Sequence, residues 1–159
     1  VLIADEPTTA LDVTIQAQIL DLIQELQEKF STAIMLISHD IGVISEMCDK
    51  ILVMYAGRIV EEAKLNDLFE LQYHPYTKSL FASIPILNDP GNIGGKKVRL
   101  KEIKGIVPSL HNLPEGCYFA PRCIYATKEC YNKYPPIEEK SPGHFVACWN
   151  ADAIIDNQQ

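Results

Sequence analysis

The chain of 159 residues opens on the stretch VLIADEPTTALD, Val1–Asp12. Its first four residues form an unbroken apolar run, which is typical of a strand covered on both faces in a parallel α/β sheet. Asp5 and Glu6 end this run, and Pro7 lacks an amide hydrogen and favours an extended backbone at Glu6. We therefore expect both carboxylates at the carboxyl end of a buried strand, where open α/β sheets bind ligands.

The residues that follow predict a strand–helix–strand unit. Apolar residues recur at helical spacing over about Val13–Phe30, and Asp12 suits the N-cap of this helix. A second apolar run, Thr32–Ser38, predicts another strand that ends at His39, and a short helix is expected over Ile41–Cys48. Because such a connection joins parallel strands, His39 should lie near the two carboxylates at one edge of the sheet.

Three segments of the chain follow the order found in an ATP-binding-cassette (ABC) ATPase. Asp5–Glu6 resembles its Walker B motif, Ala10–Asp12 resembles its D-loop, and Leu36–Asp40 (LISHD) resembles its switch-histidine segment. Two later segments, HPYTKSLFASIP (74–85) and CYFAPRC (117–123), are similar to the C-terminal region of oligopeptide/dipeptide transporters. The resemblance covers almost the whole chain and implies the ATP-hydrolysing subunit of an importer of oligopeptides or dipeptides.

The resemblance also implies a role for each polar residue at the predicted sheet edge. Asp5 would bind Mg²⁺ through a water molecule, Glu6 would act as the general base, and His39 would bind the γ-phosphate. Asp12 would contact a second ATPase subunit across the nucleotide. The implied cofactors are ATP and Mg²⁺. The chain contains neither a GxxxxGK(S/T) phosphate loop nor an LSGGQ-like signature, so we expect the C-terminal part of a longer subunit that is inactive by itself.

Four of the five cysteines lie in the last third of the chain: Cys117, Cys123, Cys130 and Cys148. Thiolates on loops rich in Pro and Gly can converge on one centre, which leaves a [4Fe–4S] cluster, a structural Zn²⁺ or two disulfides. The spacing lacks the paired C-x2-C of zinc ribbons, and the family resemblance also favours the cluster. The cytosolic location that the resemblance implies disfavours stable disulfides. Cys48 is expected to be a small buried apolar residue.

The predicted fold class is α/β. Residues 1–62 are assigned to the C-terminal part of the parallel sheet of a P-loop ATPase with its helices, ending in a hairpin over residues 51–62. Residues 63–95 form a helical extension and linker, with helices over Lys64–Gln72 and Pro75–Ser83.

The remaining residues are expected to hold little regular structure. Pro and Gly interrupt residues 84–97, which indicates a linker. Residues 96–150 form a small irregular Cys-rich domain, in which only Val98–Val107 alternates as an edge strand would. Residues 151–159 are expected to be a frayed tail.

Charge and hydropathy restrict the partners of the chain. The formal net charge of −7 disfavours a nucleic-acid surface, and no apolar run reaches the roughly 20 residues of a membrane span. The resemblance implies a peripheral protein at the cytoplasmic face of a bacterial or archaeal plasma membrane. Its partners would be transmembrane permease subunits and a second ATPase subunit, identical or different. The apolar run Val1–Ala4 also predicts self-association of the fragment.

Three other functions fit parts of the pattern. The chain is also compatible with an importer ATPase of the same family for nickel or another small solute. A DNA-repair-type ABC ATPase uses the same three segments, although the acidic charge and the HPYT segment disfavour it. A non-catalytic fragment that regulates or dimerises through its Cys-rich region is the third alternative.

Overall fold

The computed structural model describes residues 1–83 and 102–156. The strands in these ranges are β1 (Leu2–Asp5), β2 (Ile34–Ile37), β3 (Lys50–Tyr55), β4 (Arg58–Lys64), β5 (Glu138–Ser141) and β6 (His144–Val146). The helices are α1 (Val13–Phe30), α2 (Ile41–Met47), α3 (Leu65–Glu70), α4 (Pro75–Ala82), α5 (Lys128–Asn132) and α6 (Ala151–Asp156), with a 3-10 turn at Ala120–Arg122. The chain divides into two compact units, Val1–Ile51 and Leu52–Gln159.

The first unit contains the predicted parallel strand–helix–strand arrangement. Strands β1 and β2 pair in parallel, and Asp5 at the end of β1 lies opposite Ile37 at the end of β2. The helix α1 has the predicted bounds, and Asp12 is its N-cap. It ends where Ser31 adopts a left-handed conformation, with φ 47°, and donates its backbone N–H to the last turn. The order of elements and the parallel pairing are therefore confirmed.

The expected burial of β1 on both faces is wrong for the residues that the structure describes. Val1, Ile3 and Met35 are exposed by 89%, 63% and 53% of their surface. Among the described elements, β1 and β2 pair only with each other and no helix packs extensively against β1, so its faces are left without a cover. Cys48, expected to be buried, is half-buried.

The second unit holds strands of a sheet with the order β3-β4-β6-β5, in which β3 begins at the boundary between the units. Strand β6 pairs antiparallel with β4, where Glu61 lies opposite Val146, and antiparallel with β5 on its other side. The core includes Tyr73, Val146 and Ala151, against which Cys148 packs. The described fold is therefore mixed α/β with both parallel and antiparallel pairing.

Several expectations for the C-terminal third are corrected by this sheet. Little regular structure was predicted after residue 107, but β6 pairs with β4, and β5 pairs with the other side of β6. The frayed tail is instead helix α6 up to residue 156, with Ala151 and Ile154 buried because they pack into the core. Residues 102–107 contain no strand. The rest of the predicted edge strand and the linker over 84–97 lie outside the described residues.

The predicted domain boundaries at residues 62 and 95 remain predictions, although β4 continues through residue 62 to Lys64. The predicted helix over residues 64–72 is shorter, Leu65–Glu70. Helix α4 begins at Pro75 as expected, since proline suits the first turn of a helix. Among the described helices, none combines the length and hydropathy that crossing a membrane requires.

Candidate functional site

The carboxyl ends of β1 and β2 form the first candidate site. The backbone N–H of Glu6 donates to the carbonyl of Ile37 at 2.9 Å, which extends the parallel pairing by one residue. Glu6 then adopts a φ of 46° instead of the extended conformation that Pro7 was expected to impose. A turn overrides that preference, because the backbone N–H of Thr9 donates to the Glu6 carbonyl at 3.1 Å. Such backbone strain in a residue other than glycine is concentrated at functional sites.

The Glu6 side chain joins the two strand ends. Its Oε1 lies 3.1 Å from Nδ1 of His39, and its Oε2 accepts a hydrogen bond from the hydroxyl of Thr9 at 2.9 Å. The expectation that His39 lies near Glu6 is confirmed. Thr9 was missed by the sequence reasoning, because its contact depends on the left-handed turn at Glu6, which the sequence did not indicate.

These two hydrogen bonds determine the protonation of Glu6. They lower the pKa of Glu6 from its ordinary value of 4.5, with the bond from Thr9 as the larger cause and the bond to His39 second. The carboxylate is therefore ionised at neutral pH and can accept a proton or orient a water molecule. Both side chains remain accessible, with 45% of Glu6 and 75% of His39 exposed.

The other predicted residues of this edge are close in the sequence but have different surroundings. Asp5 is the last residue of β1 and is exposed. Asp12 is exposed too, and its Oδ1 accepts from the backbone N–H of Ile15 at 2.9 Å, so its capping role is confirmed. Asp40 caps α2 through a 2.8 Å bond from Gly42, which fixes the backbone next to His39.

The second candidate site is a cavity lined by all four C-terminal cysteines: Cys117, Cys123, Cys130 and Cys148. All four are free thiols in this structure. The backbone N–H of Cys117 donates to the carbonyl of Cys130 at 2.7 Å, which joins two of the segments that carry them. Gly116 permits this approach, since a Cβ at that position would overlap the backbone of Cys130 and Tyr131.

The thiols influence one another electrostatically. Burial raises the pKa of Cys117, and it raises the pKa of Cys123 to about 11 and that of Cys148 to about 12. The nearby Cys123, Cys117 and Cys130 contribute further to the raised pKa of Cys148. The four cysteines line one cavity, but no group of three or more His, Cys, Asp or Glu side chains within residues 1–83 and 102–156 is arranged to hold a metal ion. Their convergence on one centre therefore stays a prediction.

A buried carboxylate that sequence reasoning missed lies in the same unit. Glu61 is fully buried in β4, and its Oε1 accepts from the backbone N–H of Tyr73 at 2.7 Å and lies 2.8 Å from Nε2 of the buried His144. Its Oε2 accepts from the backbone N–H of His74 at 3.0 Å. Glu61 and His144 are 83 residues apart in the sequence. No local sequence pattern could therefore have predicted that they form a pair.

Comparison with known proteins finds a protein family that matches part of this chain. Residues 60–130 match the family described as oligopeptide/dipeptide transporter, C-terminal region. Over these residues the chain is similar to that C-terminal region, and the resemblance identified from its motifs is confirmed.

Curated relatives extend the match over nearly the whole chain. A probable peptide ABC transporter ATP-binding protein, y4tR of Sinorhizobium fredii, is 51% identical over 98% of this chain and 45% of its own length. The oligopeptide transport ATP-binding protein AppD of Bacillus subtilis is 50% identical over 93% of this chain and 43% of its own. OppD of Salmonella typhimurium, with the same description, is 49% identical over 93% and 42%. The chain thus spans less than half the length of these relatives.

Proposed function

We propose that the chain forms part of the ATP-hydrolysing subunit of an importer of oligopeptides or dipeptides. The observation that carries this proposal is the 3.1 Å contact between Glu6 and His39 at the carboxyl ends of two parallel strands. The relatives are named as ATP-binding proteins of peptide transporters, which supports the same substrate class. The subunit would work at the cytoplasmic face of the membrane with transmembrane permease subunits and a second ATPase subunit.

Glu6 would orient and polarise the water that attacks the γ-phosphate. Its lowered pKa keeps the carboxylate ionised at neutral pH, which is the form that a general base needs. General bases typically contribute roughly 10²–10⁴-fold to a rate. His39 holds Glu6 through Nδ1, and a protonated imidazole would also donate from Nε2 to an oxygen of the γ-phosphate.

Asp5 and Asp12 would hold the remaining components of the reaction. Asp5 ends β1 with an exposed carboxylate, and Mg²⁺ is bound by few carboxylates while it keeps several waters. Mg²⁺, when bound, would neutralise phosphate charge. One Oδ of Asp12 caps α1, and its other oxygen is the group that would face the second ATPase subunit.

The test replaces Glu6 in the full-length subunit. Glu6→Gln keeps the shape of the side chain but removes its basicity, so we expect unchanged nucleotide binding and a loss of hydrolysis of at least about a hundredfold. Glu46→Gln, an exposed acid on α2, is the matched control and should hydrolyse ATP normally. Near-normal turnover by Glu6→Gln would reassign Glu6 to a structural role.

We further propose that Cys117, Cys123, Cys130 and Cys148 together bind a [4Fe–4S] cluster. The support is their shared cavity and the mutual influence of the thiols on their pKa values. A zinc ion would need every sulfur about 2.3 Å from one point, whereas each thiolate of a four-iron cluster binds a different iron. The cluster would supply a one-electron centre and a cross-link.

Anaerobic purification tests this centre. We expect a brown protein with about four irons and four sulfides per chain. Cys123→Ser should lose the iron, while Cys48→Ser should keep it, because Cys48 does not line the cavity. One equivalent of zinc in a colourless protein would establish the alternative metal, and a protein with neither metal would overturn the proposal.

A further inference from the structure

The hydroxyl of Thr9 holds one oxygen of the Glu6 carboxylate. Thr9 Oγ1 donates to Oε2 of Glu6 at 2.9 Å, whereas Nδ1 of His39 lies 3.1 Å from the other oxygen, Oε1. The two partners come from different segments, because Thr9 belongs to the turn after β1 and His39 follows β2. Each oxygen of Glu6 therefore has its own partner.

A contact at each oxygen restrains the plane of the carboxylate, which a single contact would not. The last torsion of a glutamate side chain has broad, roughly two-fold preferences, so a carboxylate held at one oxygen can still rotate about its terminal bond. Packing does little to restrict this rotation, because 45% of the Glu6 side chain is exposed. Among the described contacts, the orientation of Oε2 thus depends on Thr9.

The backbone brings the Thr9 hydroxyl to this position. The N–H of Thr9 donates to the carbonyl of Glu6 at 3.1 Å, so both side chains belong to one turn. Glu6 and Ala10, on either side of Thr9, adopt left-handed φ values of 46° and 62°. Such conformations are unfavourable for residues other than glycine, and they are concentrated at functional sites. The turn therefore presents Thr9 to Glu6 at a conformational cost.

We propose that Thr9 is a positioning residue that holds the Glu6 carboxylate in the orientation needed to polarise the attacking water. The inference rests on the proposed role of Glu6 as the general base. A hydroxyl has one hydrogen to donate, and Thr9 donates it to Oε2, so Thr9 acts on the reaction through Glu6. Misplacing a reacting group by about 1 Å can cost about a hundredfold in rate. Loss of the contact should therefore slow hydrolysis without weakening nucleotide binding.

Variants of Thr9 in the full-length subunit test this role. Thr9→Val replaces the hydroxyl by a methyl group, and Thr9→Ala is a second variant without the hydroxyl; both should fold, because Thr9 is exposed. We expect each to lower kcat for ATP hydrolysis by about tenfold with an unchanged KM for ATP. Thr9→Ser keeps the hydroxyl and should restore most of the rate. Thr32→Val is the control, since Thr32 precedes β2 at the opposite end of the strand from His39.

A double variant shows whether Thr9 acts through Glu6. The basic carboxylate is absent in Glu6→Gln, so adding Thr9→Val should slow hydrolysis no further, as expected of residues that act as a unit. A threonine with a purely structural role would lower the rate by the same factor in both backgrounds. Losses that multiply in the double variant therefore overturn the inference.

The failure of each proposal is distinguishable. Near-normal hydrolysis by Glu6→Gln overturns the proposed general base, and the inference about Thr9 falls with it. Slow hydrolysis by Glu6→Gln, together with a parent-like kcat in Thr9→Val and Thr9→Ala, overturns the inference about Thr9 alone. A raised KM for ATP at that parent-like kcat would show in addition that Thr9 acts on nucleotide binding.

Discussion

The chain contains two contacts between a glutamate and a histidine, and their surroundings are opposite. Glu6 and His39 meet at 3.1 Å at the ends of two strands, with 45% and 75% of their side chains exposed. Glu61 and His144 meet at 2.8 Å inside the second unit, with 0% and 2% exposed. Solvent can reach the first pair, whereas the second is enclosed. The exposed pair, Glu6 and His39, is thus accessible for a reaction, whereas the buried pair, Glu61 and His144, is suited to stabilising the fold.

The hydrogen bonds of the two carboxylates agree with this difference. Both oxygens of Glu61 accept from the protein, and two of its donors are the backbone N–H groups of Tyr73 and His74. Glu61 therefore determines the path of the backbone into α4. Glu6 is held by the hydroxyl of Thr9 and by His39, which are side chains that orient the carboxylate without enclosing it.

The largest predicted effect is the loss of stability on neutralising the buried carboxylate. Glu61→Gln replaces one acceptor oxygen by an amide that faces a donor, so we expect it to destabilise the fold by about 3 kcal/mol. Glu6→Gln is the matched control and should leave the denaturation midpoint almost unchanged, because exposed pairs contribute little. Urea unfolding of both variants measures the difference. Equal midpoints would show that burial does not distinguish the two pairs.

A smaller effect is expected from the close backbone approach in the second unit. Gly116→Ala would place a Cβ against the backbone of Cys130 and Tyr131, and such crowding costs about 1–3 kcal/mol. Gly42→Ala in the first unit is the control, since its Cβ would meet only the Asp40 side chain, at 3.1 Å. Thermal unfolding should show a lower midpoint for Gly116→Ala alone. A parent-like midpoint would mean that the cysteine segments need no glycine.

The smallest predicted effect is a change in the titration of the exposed pair. Thr9→Val removes the largest cause of the lowered Glu6 pKa, so an NMR titration should show the pKa of Glu6 rising toward 4.5. Thr9→Ser retains a hydroxyl and should keep the lowered pKa.

The sign of the associated pH dependence follows from the direction of the shift. The pKa of Glu6 in the folded chain lies below its ordinary value of 4.5. The stabilisation of the folded state by ionised Glu6 is therefore complete above about pH 4.5 and is lost as the pH falls through the folded pKa. An unshifted Glu6 in the parent chain would contradict the geometry of the Thr9 contact.

Local signals explain what could be predicted from the sequence. The apolar periodicity, the Asp12 cap and the following apolar run specify β1, α1 and β2, and parallel pairing then places His39 near Glu6. The left-handed turn at Glu6 was not predictable from its neighbours, because Pro7 favours the opposite conformation and hydrogen bonds from Thr9 overrule it.

The second unit shows the limit of such signals. Strand β6 pairs with β4 across more than 80 residues, and the buried bond between Glu61 and His144 has the same long separation. Short strands with charged residues, such as β5 (EEKS), have no apolar alternation to reveal them. The cysteines could be identified as a group from their clustering, but the position of His74 beside them required the fold.

The central claim is that Glu6 and His39 act as one catalytic unit at the exposed edge. A double-mutant cycle on ATP hydrolysis by the full-length subunit tests it most directly, with Glu6→Gln, His39→Ala and the double variant measured at saturating nucleotide. Residues that act as a unit are strongly non-additive, so the double variant should hydrolyse ATP about as slowly as the slower single variant. Losses that multiply in the double variant would contradict the account, because each residue would then act independently of the 3.1 Å contact between them.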